Sequence, residues 1–164
     1  MKVALGGTFD PVHDGHRALF DRAFELGDVT VGLTSDELAP KTRSQNRPIC
    51  SYDHRHRKLD SELALVAAEY DREYEIRKLE TPTGIATEPQ FDVLVVSPET
   101  KAGGKRINEI RRQRGLQLLD LDIVEFVYAE DGEIITSTRI VRGEIDEHGN
   151  LTPDASGRTT AGTD

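Results

Sequence analysis

Eleven residues near the amino end, GGTFDPVHDGH at positions 6–16, combine groups suited to holding phosphate. Gly6 and Gly7 let the main chain approach a phosphate with no Cβ in the way. Thr8 adds a hydroxyl and a backbone N–H, and Phe9 follows it in the same loop. Gly15 and His16 stand at the start of a helical pattern, where unpaired N–H groups and the helix dipole favour an anion. His13 and His16 are three apart, so one helical turn can present both imidazoles to a single phosphate. Each part alone has a plainer reading, since a glycine pair after a strand is often only a turn. His-x-x-His is also half of a metal site, but one cysteine and no convincing third ligand weigh against that. The strength lies in the unit and its context.

These residues need elements to position them, and the periodicity supplies them. Residues 2–5 read as a short apolar strand ending in the two glycines. Leu19, Phe20, Ala23 and Phe24 follow the spacing of an amphipathic helix from His16, with Gly27 as its stop. Strands are expected at 28–34, 74–79, 91–96 and 122–127. The run FDVLVV at 91–96 has the look of a strand buried on both faces. Helices are expected after Ser51 as a cap, with Leu59, Leu63, Val66, Ala67 and Tyr70 on one stripe, at 106–114, and at 138–142 behind Ser137 as a cap. Alternating strands and helices predict an α/β fold, a Rossmann-like open parallel sheet of about five strands with helices on both faces. The glycine loop would then sit at the carboxyl end of the first strand, where ligands of such sheets bind. One domain over 1–148 is expected, followed by a disordered tail at 149–164 that is nearly free of apolar residues.

Composition bounds the function. The chain has 164 residues, 36% hydrophobic and 31% charged, with a net charge of −9. No run approaches the ~20 apolar residues of a membrane span, and the opening residues have no apolar leader segment, so a cytoplasmic protein is expected. The acidic balance argues against nucleic-acid binding. Two islands, 41–58 and 101–114, each carry a net +5, leaving −19 for the rest. Such islands would focus a small polyanion; two solvated helix faces would look the same. Six lysines against fifteen arginines in an acid-rich chain match a cytoplasm at high salt. Cys50 reads as a small packed residue, and His54 and His56 as a solvated helix start.

The 6–16 segment resembles the signature of the HxGH nucleotidyltransferase superfamily. Within it, VGLTSDELAPK ending at Lys41, VVSPETKAGGKRINEIRRQRGL at 95–116 and ITSTRIVRGEID at 135–146 are similar to the archaeal and eukaryotic-type branch of the phosphopantetheine adenylyltransferases. The likeness covers nearly all of 1–146. It departs at Thr136, where the family often has serine, and at Val141, where a basic residue is common. Ser97, Pro98 and Glu99 stand where the bacterial branch carries arginines.

The resemblance implies transfer of AMP from ATP to 4′-phosphopantetheine, with Mg²⁺ carried mainly by ATP. It implies His16, His13 and Lys41 as the catalytic group, and Thr8 with Lys41 on the acceptor phosphate. Gly7, Thr8, Phe9, His13, Gly15, His16, Thr136, Ser137 and Thr138 would bind ATP, with Arg111, Lys105 or Arg106 gripping the triphosphate. An adenylyltransferase for flavin or nicotinamide mononucleotide, or a nucleotide-binding regulator without turnover, remain the alternatives. A homo-oligomer is compatible with either.

Overall fold

Alternating β-branched and apolar residues in the first segments give two central strands, β1 (Lys2–Gly7) and β2 (Asp28–Thr34), paired in parallel from Lys2 opposite Asp28 to Gly7 opposite Leu33. In this computed structural model residues 1–41 and 48–153 are described, the side chain of Lys41 excepted. The remaining strands are β3 (Tyr74–Leu79), β4 (Val93–Val96) and β5 (Asp120–Ile123). All neighbours are parallel in the order β3-β2-β1-β4-β5. The five strands and their direction agree with the reading of the sequence.

Helices cover both faces. On one face α1 (Asp14–Leu26) and α2 (Tyr52–Tyr70) bury Phe20, Ala23, Phe24, Leu59, Leu63 and Ala67 against Val3, Leu5, Val31 and Leu33. On the other, α3 (Lys101–Gln113) sets Ile107 against Leu94, Val96 and Phe91. A third cluster of Ala129, Ile135 and Ile145 closes the carboxyl-terminal part around α4 (Ser137–Val141). Among the described residues no helix is long and apolar enough to cross a membrane.

Several boundaries differ from expectation. Helix α3 begins at Lys101, five residues before 106, because Gly103 and Gly104 lie inside it. A Cβ on Gly104 would stand 3.0 Å from Leu121 Cδ2, so this glycine serves close packing on β5. Strand β5 spans Asp120–Ile123 instead of 122–127. Gly27 does end α1, but in extended backbone; a Cβ there would meet the Met1 carbonyl oxygen at 2.1 Å. Residues 149–152, the first of the expected tail, are bonded to the domain. Leu151 bridges to Ile145, and the Leu151 N–H donates to Glu130 Oε1 at 3.1 Å. The rest of that expected tail, 154–164, lies outside the described residues.

Candidate active site

Strand β1 neighbours β2 on one side and β4 on the other, so the chain leaves its carboxyl end at the point where strand order reverses. In open α/β sheets that crevice is where ligands bind. The 6–16 segment fills it. Gly7 is pressed by the Phe9 ring, which a Cβ would meet at 3.0 Å. Phe9 adopts φ 50°, a left-handed conformation, and its buried ring packs edge-on to His16 and against Phe20. The loop therefore turns around Phe9 and delivers the chain into α1.

The two histidines cap that helix reciprocally. His13 Nδ1 accepts from the Gly15 N–H at 3.0 Å, and His16 Nδ1 accepts from the His13 N–H at 3.2 Å. The rings stack with centroids 3.8 Å apart. A Cβ on Gly15 would stand 2.8 Å from His13 Cε1, so only glycine leaves room for the His13 ring to cap here. Because each Nδ1 must be a lone-pair acceptor, the neutral rings carry their protons on Nε2. Burial lowers the His13 pKa to about 4, with Arg17 adding to the effect and Asp14 opposing it. Burial, then His13 and Arg17, hold His16 well below its ordinary value. At neutral pH the pair presents two uncharged N–H donors.

Arg17 anchors the start of α1. It makes a two-pronged contact with Glu62 at 3.0 and 2.9 Å, and reaches Asp14 at 2.9 Å and Glu147 at 2.7 Å. The Asp14 N–H donates to the Glu147 carbonyl at 3.0 Å. The carboxyl-terminal segment thus braces the histidine turn from outside.

The structure brings most of the expected residues together. Gly7, Thr8, Phe9, His13, Gly15 and His16 share one loop, and the Ser137 hydroxyl donates to the Pro11 carbonyl at 2.9 Å, docking α4 beside it. Thr136, not Ser137, caps α4, by accepting from the Arg139 N–H at 3.1 Å. Thr138 is half-buried in the first turn of α4. Lys41 closes a short 3-10 helix (Ala39–Lys41) just beyond β2, and its side chain lies outside what is described.

Arg111 is the clear correction. Only 1% exposed, it donates to the carbonyls of Gln117, Ala86, Glu88 and Phe91. These partners lie around the starts of β4 and β5, the opposite end of the sheet from the loop. Arg111 therefore holds main chain, and the expectation that it binds ATP is withdrawn. Cys50 is exposed, not packed; its N–H donates to Asp10 Oδ2 at 2.7 Å.

Reasoning from sequence passed over Arg55, which is 1% exposed and bonded to Thr8, Thr34, Asp36 and Cys50. The basic island at 41–58 was the available signal, but nothing in it distinguished a buried arginine from solvated ones.

Comparison with known proteins agrees with this geometry. Residues 4–143 match the family described as Cytidylyltransferase-like. A phosphopantetheine adenylyltransferase of Methanosarcina barkeri is 46% identical over 153 residues, covering 92% of both chains. Its counterpart from Archaeoglobus fulgidus is 42% identical, covering 92% of this chain and 99% of its own. A solved structure of a protein of unknown function from Archaeoglobus fulgidus superposes with a TM-score of 0.64 at 38% identity, covering 76% of this chain and 89% of the other. With the glycine loop, the paired histidines and the parallel sheet in place, the chain belongs to the Cytidylyltransferase-like family and, within it, to the archaeal phosphopantetheine adenylyltransferases.

Proposed function

We propose that this chain transfers the adenylyl group of ATP to the phosphate of 4′-phosphopantetheine, releasing pyrophosphate and dephospho-coenzyme A in the cytoplasm. The observation that carries the reading is the pair of neutral imidazoles, capped on Nδ1 and donating from Nε2, at the reversal point of the sheet. Uncharged donors suit a site that must hold phosphates and then release them.

In this reading a phosphate oxygen of the acceptor attacks the α-phosphorus of ATP. The new P–O bond forms as the bond from the α-phosphorus to the bridging oxygen breaks, and pyrophosphate leaves with the electron pair. A phosphate monoester loses its second proton near pH 6, so no general base is needed. Positioning and charge stabilisation then supply the catalysis. His16 would donate to the oxygens around the α-phosphorus, and His13 to the neighbouring phosphates. Thr8 and Lys41 would hold the acceptor phosphate; Thr136, Ser137 and Thr138 would meet the nucleotide. Lys101, in the first turn of α3, and Lys105 and Arg106, exposed in the second, replace Arg111 as candidates for the triphosphate.

Mg²⁺ would enter as a companion of ATP, stabilising charge on its phosphate oxygens. That fits the donors present: among the described residues no three His, Cys, Asp or Glu side chains converge to hold an ion, and Mg²⁺ bound through phosphates needs few protein ligands.

The test is pyrophosphate release from Mg-ATP with 4′-phosphopantetheine, flavin mononucleotide and nicotinamide mononucleotide in parallel. Strong release with the first alone is expected. Preferred turnover of either mononucleotide would overturn the acceptor, and none with any would leave a nucleotide-binding regulator.

A further inference from the structure

Beneath the loop that carries Thr8, the Arg55 guanidinium spreads its donors over four residues in three segments. Nε donates to the Cys50 carbonyl at 2.9 Å, and Nη2 to Asp36 Oδ1 at 3.1 Å. Nη1 is shared between the Thr8 carbonyl and the Thr34 hydroxyl oxygen, at 3.3 Å each. A guanidinium can only donate, so Thr34 Oγ1 is the acceptor in that contact. Thr34 is 2% exposed, and its own hydroxyl hydrogen needs an acceptor in turn. Thr8 Oγ1 stands 2.9 Å away and provides one. With that lone pair occupied from within, the Thr8 hydroxyl hydrogen is turned away from Thr34. Thr8 is half-buried, so part of it stays open to solvent.

We propose that Arg55 is a positioning residue that orders a one-way chain of hydroxyls, from Arg55 through Thr34 to Thr8, so that Thr8 meets the acceptor as a proton donor and favours a phosphate monoester. This rests on the reading of Thr8 as a contact of the acceptor phosphate. A phosphate dianion offers only acceptor oxygens, which an outward hydroxyl hydrogen matches. Without the chain, the Thr8 hydroxyl is free to rotate, and its hydrogen is no longer held toward the phosphate. The same guanidinium ties the loop to residues on both sides of the 41–49 segment, Asp36 before it and Cys50 after it.

The chain is tested by Thr34→Val, which keeps shape and removes the middle hydroxyl, beside Thr34→Ser, which keeps the hydroxyl. Calorimetry measures Kd for 4′-phosphopantetheine, for pantetheine lacking the phosphate, and for Mg-ATP. Thr34→Val should weaken phosphopantetheine roughly 3- to 5-fold, because the Thr8 hydroxyl hydrogen remains but is no longer oriented, and leave pantetheine and ATP unchanged. Thr34→Ser should restore the affinity. Arg55→Lys keeps the cation but not the fork, and should show the same acceptor-selective loss. An unchanged phosphopantetheine Kd in Thr34→Val overturns the proposal, and so does an equal loss for ATP. Should the unaltered enzyme turn over a mononucleotide instead, the reading of the acceptor fails separately. The comparison then runs on that mononucleotide, whose phosphate the same hydroxyl would meet.

Discussion

His13 and His16 each give their Nδ1 lone pair to a backbone N–H, so protonating either ring breaks a helix cap as well as charging a buried group. The sign of the pH dependence follows. The unfolded chain takes up a proton near 6.5, whereas folded His13 resists until about 4. Stability is therefore full above pH 6.5 and falls as pH drops toward 4, by about 1.4 kcal/mol per pH unit for each such group. His13→Asn keeps a capping side chain without a titrating ring. Urea unfolding at pH 7.5 and 5.5 should show a smaller loss in that variant than in the unaltered protein; equal losses would show that carboxylates dominate. His16→Ala should lower kcat by roughly 100-fold or more while KM moves less, as for a contact made mainly in the transition state. At this scale the histidines and Thr8 were legible because chain neighbours define them. Arg55 and Arg111 were not, since identical residue types in two basic islands were buried by long-range packing that spacing does not encode.

The elements themselves were largely legible. Strands at 28–34 and 74–79 appear with the expected bounds, because Val29, Val31 and Leu33 in one and Tyr74 and Ile76 in the other recur at every second position. Helix α3 was read short because two glycines argue against a helix interior; the contact of Gly104 with Leu121 is tertiary and outweighs that local preference. The same kind of contact governs the carboxyl terminus. The Thr152 hydroxyl donates to the Gly143 carbonyl, Leu151 is bonded to Glu130, and Glu147 meets Arg17 at 2.7 Å. Cutting the chain after Pro153 should leave the Tm and activity nearly unchanged, since the remainder has only Ala155 and Ala161 as apolar residues to offset its ordering. Cutting after Asp146 removes the brace on Asp14 and Arg17, and should lower the Tm by several degrees and reduce kcat. Thermal melts and turnover of the two truncations separate these cases.

Over the whole molecule, charge sets the response to solvent. The chain carries −9 in total and −19 outside its two basic islands. Salt weakens exposed ion pairs such as Arg106 with Glu109, but these contribute little, about 0–1 kcal/mol each. Repulsion among the unpaired excess of carboxylates is also screened, as the Debye length falls from about 10 Å at 0.1 M to about 3 Å at 1 M. Relief of repulsion should win. The Tm of the protein should rise steadily as KCl increases from 0.1 to 2 M. A flat or falling Tm would mean that the acidic excess is spaced too widely to matter, and would remove the case for a saline habitat.

One thiol in 164 residues is also an opportunity for optics. Cys50 is exposed, its N–H is bonded to Asp10 of the glycine loop, and its carbonyl receives Arg55. An environment-sensitive fluorophore attached there would need no cysteine to be engineered in or out. Placed at the rim of the crevice, it would follow occupancy in real time, and each variant above could be titrated by emission alone, at protein concentrations far below those calorimetry requires.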